Sequence, residues 1–372
     1  MTGPQFLAED ARSYRGVPGN APIVLWAVPV ADIGGVARHV LDVTRQGIPD
    51  TRLVVLCPDG PLAQLLKAQG VPVLIEDFGP KAGIRASIRS LRHAVAKLRP
   101  AVLHTHLAYA DVIAALAIPV SWPVRLVSTE HGIAAPGQDA VYHGSAAKSR
   151  LIATVHAARC ERFDALIAVS EATASAMKRA WHPRRPVEVI YNGIDPQPEA
   201  ETPRSSGLRI LSLARLAPEK QIDKLLRAFS LLHRDHPQAR LTVAGTGPEE
   251  SLLRRTADTL GLSDVVSFPG LLDSRLALAQ HDVLAQLSVW ENCSYSLLDA
   301  LREGLGVVAT PVGGNPEMLP SQCMVDVSDL RAMTAALYQQ GVDLSARPVL
   351  TGWPGLPAMT THVQMVYRGC FT

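Results

Sequence analysis

The sequence predicts an α/β protein built from two doubly wound domains. Three observations carry this. A chain of 372 residues suffices for about two domains. Short continuous apolar runs, the pattern of strands buried on both faces, alternate with helix-length periodic segments through the first half. A second alternation of the same kind starts at Leu208. The expected division is a first domain over 1–195, a Pro/Glu/Ser-rich linker over 196–207, a second domain over 208–355, and a closing helix over 356–372.

The strands of the first half follow from their apolar runs: Ile23–Val28, Leu53–Cys57, Val71–Ile75, Val102–His104, Arg125–Ser128, Ala165–Val169 and Glu188–Ile190. After the first strand comes a loop with Gly34-Gly35, then a helix from Val36 to Arg45. Paired glycines at a strand's C-terminal end let the backbone approach a ligand closely, though the same pair also serves an ordinary turn. The helix Ile84–Leu98 has an apolar stripe of Ile84, Ile88, Leu91, Val95 and Leu98, with Arg85, Arg89 and Arg92 opposite and Arg99 at its end. Those cations read either as a solvated outer face or as a docking face for anionic lipid.

His104-Thr105-His106 ends one strand and Ser128-Thr129-Glu130-His131-Gly132 the next, both at the edge where α/β proteins bind ligands. His104 and His106 share a face if their strand continues, so together they could hold a metal, but no further ligand at a recognisable spacing completes a site. Ser170 caps the helix that follows Ala165–Val169.

In the second half, Leu208–Leu213 leads into Ala214-Arg215-Leu216-Ala217-Pro218-Glu219-Lys220, with Lys220 expected in the first turn of a helix running to about Arg234. Cations are unfavourable at a helix N-terminus, so two of them there suggest an anion in place. Leu241–Ala244 leads to Gly245-Thr246-Gly247-Pro248, and Val265–Phe268 is followed by Pro269-Gly270. The stretch from Trp290 to Met318 reads as a strand end, a loop, a helix from Tyr295 to Glu303 capped by Ser294 and stopped by Gly304, a short strand at Val307–Thr310, and a turn at Gly313-Gly314. Glu291 and Asp299 bracket the helix start. The N–H groups there attract phosphate, and the flanking carboxylates suit hydroxyls. Phosphate between hydroxyl-binding groups describes a nucleotide-sugar. Ser328 to Gln340 and Pro357 to Tyr367 are further helical segments.

Composition bounds the function. Residues 1–195 hold 21 Lys+Arg against 16 Asp+Glu, a net of +5, and the remainder hold 15 against 18, a net of −3. The first half is therefore the half suited to an anionic surface. No basic run alternates with aromatics, which argues against a nucleic-acid partner. Five scattered cysteines without a C-x-x-C pair point to a reducing cytosol. Met1 to Asn20 is polar and does not read as a secretory leader, and the apolar run Ile113 to Val120 is too short to span a bilayer. A cytoplasmic protein is expected.

Glu291 and Asp299 with the intervening helix resemble the EX7E signature of the retaining GT-B glycosyltransferases of family 4. Arg215-Leu216 with Glu219-Lys220, the Gly245-Thr246-Gly247-Pro248 loop, Glu130-His131-Gly132 and Gly34-Gly35 resemble further family segments, in the family's order, over roughly 23–340. The resemblance implies two Rossmann-like domains with the donor in the cleft between them. It also implies transfer of a hexose from a UDP- or GDP-sugar to a glycan or lipid-linked acceptor, with retention of anomeric configuration. It assigns Arg215 and Lys220 to the diphosphate, Glu291 to the sugar, Asp299 to the ribose and His131 to the reacting centre. Gly34, Gly35, Gly245, Gly247, Ser294, Tyr295 and Ser296 would line the donor. Asp299 stands where the family carries the longer Glu, Gln221 stands where it usually has Gly, and Arg302-Glu303 where it has small residues. No D-x-D motif occurs, so no metal-bridged diphosphate is signalled, and no metal or cofactor is expected. A lipid-linked acceptor fits peripheral contact of Ile84–Arg99 with the inner face of an anionic membrane. A nucleotide-sugar epimerase and a non-catalytic sugar-nucleotide-binding partner are the alternatives. The reading requires Arg215 and Lys220 to lie near Glu291.

Overall fold

The computed structural model describes residues 19–133, 146–195 and 205–371. Most of the expected linker therefore lies outside the described residues. The chain forms two compact units. One takes the described residues of Met1–Ile133, Asp139–Gly193 and Pro354–Thr372, and the other those of Ile194–Trp353.

The first unit is a sheet of seven parallel strands in the order β3-β2-β1-β4-β5-β6-β7. The strands are β1 (Ile23–Ala27), β2 (Arg52–Cys57), β3 (Val73–Ile75), β4 (Val102–His106), β5 (Arg125–Glu130), β6 (Ala165–Ala168) and β7 (Val187–Val189). Helices α1 (Gly35–Gln46), α2 (Pro61–Ala68), α3 (Ile84–Leu98), α4 (Leu107–Ala117), α5 (Ala146–Cys160) and α6 (Glu171–Trp181) fill the crossovers. Central strands such as β1 and β4 are buried on both faces, which is why they read as unbroken apolar runs. Ser170 caps α6 by accepting from the Thr173 N–H. The N-terminal half of α3 matches its pattern only in part. Leu91 and Val95 are buried, but Ile84 is 54% exposed. Arg92 turns back to the Ala117 carbonyl at 2.7 Å rather than standing free.

β4 and β5 run longer than their apolar residues indicate. β4 continues through His104-Thr105-His106, and β5 through Ser128-Thr129-Glu130. The polar residues sit inside the sheet because parallel neighbours on both sides satisfy their backbone. The register sets His104 opposite Trp26 and Val127, and His106 opposite Thr129. Leu107 then takes a left-handed φ of 73°, turning the chain directly into α4.

The second unit has five parallel strands in the order β10-β9-β8-β11-β12: β8 (Arg209–Leu213), β9 (Arg240–Ala244), β10 (Val266–Gly270), β11 (Val283–Gln286) and β12 (Gly306–Ala309). Pro269 is tolerated because β10 is an edge strand. Helices α7 (Ile222–Asp235), α8 (Glu250–Thr259), α9 (Ser274–Gln280), α10 (Tyr295–Arg302), α11 (Asn315–Met318) and α12 (Leu330–Val342) cover the sheet, around a core that includes Leu225, Phe229, Val243 and Val308. Among the described residues, no helix is long and apolar enough to cross a membrane, and all five cysteines are unpaired.

The final helix, α13 (Leu356–Gly369), belongs to the first unit. Its Met359, Val363 and Tyr367 are buried in the core that holds Trp26 and Val40. The Tyr367 hydroxyl oxygen accepts from Trp26 Nε1 at 2.8 Å, and the hydroxyl lies 2.6 Å from His104 Nδ1. Indole N–H can only donate, and the phenol proton finds a partner in this set when it goes to His104 Nδ1. His104 then carries its own proton on Nε2, which donates to Thr129 Oγ1 at 2.7 Å. One side chain from the end of the chain thus completes the polar interior of the central strands. Tyr367→Phe leaves the Trp26 N–H and His104 Nδ1 buried without partners, at about 1–3 kcal/mol each. The expected loss of about 2–6 kcal/mol is read from the midpoint of urea unfolding.

Candidate active site

In the first unit the candidate residues gather at the C-terminal ends of β1, β4 and β5. His106 Nδ1 and His131 Nε2 lie 2.9 Å apart and share a proton. His39, from α1, meets the His131 ring edge-on at 4.8 Å between centroids, and its Nδ1 lies 3.1 Å from Asn192 Oδ1. Trp26 packs against the His106 ring at 4.3 Å. The expectation that His104 and His106 share a face holds: their rings stack at 4.6 Å. Burial pushes all four imidazoles down. His39 falls from its ordinary 6.5 to about 4, against the opposing hydrogen bond from Asn192. His104, His106 and His131 fall well below their ordinary value, with the neighbouring histidines adding to the effect. The cluster is therefore neutral at pH 7.

Beneath His131 lies a buried charge network. Arg159 is 3% exposed. It pairs with Asp111 Oδ2 and, at 2.8 Å, with Glu130 Oε2, and its guanidinium stacks over Trp181 at 4.6 Å. Ser128 and Thr105 donate to the Asp111 carboxylate. Burial drives the Glu130 carboxyl up to about 8, against the N–H groups of Gly132 and His131. The network fixes the residue immediately before His131, and removing one partner of such a set leaves an uncompensated buried charge.

Gly34 and Gly35 open α1. Gly34 is extended, and a Cβ built on either glycine meets no atom within 4 Å. Neither backbone angle nor packing therefore demands glycine at these positions. Gly245 and Gly247 are different. A Cβ on Gly245 would fall 1.9 Å from the Ala214 carbonyl oxygen, and one on Gly247 would fall 2.3 Å from that of Leu216. These glycines let the β9 loop press against the segment that carries Arg215.

In the second unit Lys220 Nζ is paired with Glu291 Oε1 and lies 3.3 Å from Ser288 Oγ. Ser288 Oγ donates to the same carboxylate oxygen at 2.7 Å. The Val289 N–H donates to the Glu219 carbonyl at 2.8 Å, holding the β8 and β11 loops together. Gly313, at φ 54°, stacks on the Glu291 carbonyl, and the Gly314 N–H donates to Asn292. Lys220 does not open the long helix as expected. Pro218–Lys220 is a separate 3-10 turn, and Gln221 stands at φ 48° before α7 begins. A left-handed residue there explains why glycine suits this position. Arg215 is 66% exposed at its side chain and pairs with Glu219.

Ser294 caps α10, accepting from the Leu297 N–H, and Gln286 Nε2 donates to the same hydroxyl at 2.8 Å. Its side chain therefore serves the helix end, leaving the first-turn N–H groups as the donors that Tyr295 and Ser296 can present. Asp299 is buried within α10, and its carboxylate pairs with Arg302 at 3.5 Å. Arg302, at a position the family fills with a small residue, thus supplies the countercharge for the shortened acid.

Sequence reasoning passed over His39, Asn192 and Ser288. His39 lies at helical spacing from Val36 and Val43 on the buried face of α1, a signal that could have placed it. Asn192 and Ser288 reach the site by loop geometry alone.

The model of Glycosyltransferase Family 4 matches residues 33–198, and that of Glycosyl transferases group 1 matches 194–322, so the two run end to end. The chain belongs to the family 4 glycosyltransferases. This glycosyltransferase is 28% identical over 326 residues to a glycogen synthase of Mycobacterium tuberculosis, covering 78% of each chain. It is 31% identical over 144 residues to one chain of the human phosphatidylinositol N-acetylglucosaminyltransferase, a match that spans 37% of this chain and 30% of that relative. Among solved structures, Anabaena HepE in complex with UDP and glucose superposes with a TM-score of 0.77 at 19% identity, over 93% of this chain and 99% of that one. That likeness shows the GT-B fold.

The imidazole cluster makes the enzyme sensitive to acid. A buried neutral histidine binds its proton later in the folded chain than in the unfolded one, so its contribution is complete above 6.5 and is lost as pH falls toward about 4. Glu130 acts oppositely between 4.5 and about 8. With four imidazoles opposing one carboxyl, the net slope is positive between pH 5 and 6.5. Calorimetry is expected to show a Tm that falls from pH 7 to pH 5.

Proposed function

We propose that this glycosyltransferase moves a hexose from a UDP- or GDP-sugar to a glycan or lipid-linked acceptor, with retention and without a metal ion. The observation that carries the proposal is the Lys220–Glu291–Ser288 constellation at the ends of β8 and β11. Without donor, the ammonium neutralises the Glu291 carboxylate. An arriving diphosphate competes for Lys220, and the released carboxylate accepts hydroxyl protons from the sugar. As the sugar–phosphate bond breaks, Lys220, Arg215 and the first-turn N–H groups of α10 stabilise the charge developing on the leaving diphosphate. His131, neutral and half-buried, donates to a sugar hydroxyl or polarises the reacting centre. Asp299 takes the ribose, with Arg302 holding its orientation. Nucleotide-sugar binding by HepE, a protein of the same fold, supports the donor class.

A panel of nucleotide-sugars with chelator present is expected to give one donor that raises Tm. Nucleotide release with membrane extract should then persist in chelator, and NMR of the product should show the donor's anomeric configuration. Free sugar without an acceptor would instead mean epimerase chemistry. Lys220→Ala is expected to lower kcat about a hundredfold, the effect of removing about 3 kcal/mol of preorganised charge. Normal turnover by this variant would remove the diphosphate assignment.

The exposed Ile84, Arg85 and Arg89 of α3 suit an acceptor presented on an anionic membrane. Vesicles containing phosphatidylserine are expected to sediment the protein at low salt, and the double substitution Arg85→Glu, Arg89→Glu to abolish this. Equal sedimentation of both proteins would exclude α3 as the docking face.

A further inference from the structure

We propose that His39, His106 and His131 form a binding site for a transition-metal dication of the Zn2+ class, and that an ion there withdraws His131 from the transfer reaction. The second clause rests on the role proposed above for His131; the first does not.

The three side chains come from separate elements: α1, the end of β4, and the residue after β5. Each offers one ring nitrogen, and the three nitrogens all lie within 4.8 Å of one another. Zinc bound to imidazole at about 2.0–2.1 Å places ligand nitrogens a little over 3 Å apart, so closure takes shifts of about an ångström. His131 is half-buried and precedes Gly132, a glycine at φ 156°, so it stands at the most adaptable of the three positions.

Two further observations point to a ligand. His106 Nε2 is fully buried and has no hydrogen-bond partner among the described residues, although an unpaired polar atom in such a place is costly. His39 has Nδ1 set against the Asn192 side-chain oxygen at 3.1 Å, the arrangement that orients metal-binding imidazoles through their other nitrogen. A neutral imidazole carries one lone pair, and an ion would replace the proton shared between His106 Nδ1 and His131 Nε2. The all-imidazole donor set suits Zn2+, Ni2+ or Cu2+ and disfavours Mg2+, which requires oxygen ligands. Three ligands leave a fourth position for water or a substrate hydroxyl. His104, the neighbour that shares the β4 face, is not a ligand, because its two nitrogens are committed to Tyr367 and Thr129.

The test uses the full chain without an affinity tag, stripped with chelator and titrated with Co2+. The expected result is one equivalent bound with the intense visible bands of a four-coordinate site, displaced by Zn2+ and not by Mg2+. His39→Ala and His131→Ala are each expected to weaken binding about a hundredfold and Asn192→Ala about tenfold, with His362→Ala, an exposed histidine, unchanged. Tm in chelator confirms that each variant is folded, and the partly accessible His131 keeps the test intact if His39→Ala is not. Only weak six-coordinate bands, or equal affinity in wild type and His131→Ala, would overturn the site. Zn2+ is also expected to inhibit nucleotide release in wild type while chelator restores it. Tight Co2+ binding with undiminished transfer in Zn2+ would overturn the second clause and leave the first standing. A failed donor panel would leave the Co2+ result unaffected.

Discussion

Parallel pairing is the constraint from which the rest follows. Every strand in each sheet runs the same way, so all strand-to-helix loops of that sheet emerge at one edge. Chemistry-bearing residues far apart in sequence are collected there without any dedicated motif. In the first unit this edge gathers His39, His106, His131 and Asn192, and in the second Lys220, Ser288 and Glu291. Backbone hydrogen bonds between adjacent strands set the position of each loop, and side-chain contacts refine it.

The two edges handle charge differently. In the second unit, Lys220 and Glu291 are partly exposed and neutralise one another. In the first, the imidazoles remain neutral, and beneath them Arg159 pairs with Asp111 and Glu130 away from solvent.

Much of this architecture was legible in the sequence, for physical reasons. Buried parallel strands must be apolar along their whole length, so β1, β2 and β6 declared themselves. β4 and β5 were cut short because Thr105, His106, Thr129 and Glu130 do not look like core, and Asp111 and Arg159, which pair with Thr105 and Glu130, lie on other elements. Glu291 and Asp299 were recognisable from their fixed spacing around a capped helix. The break between Lys220 and α7 was not, because it depends on Gln221 adopting a left-handed backbone that its side chain gives no hint of. Gly245 and Gly247 were identifiable as special, and the structure adds a packing reason for them. They leave room for the Ala214–Leu216 backbone. Gly34 and Gly35 have no such neighbour, which separates two pairs of glycines that look equivalent on the page.

The dependence of Trp26 and His104 on Tyr367 has a consequence for biosynthesis. Strands β1 and β4 leave the ribosome early, but the hydroxyl that satisfies both side chains is made 263 residues after His104, after the whole second unit. The first unit can collapse as it is synthesised, but it reaches its native interior only after the second unit and α13 have been made. Until then its central strands carry polar groups that water, or a chaperone, must serve.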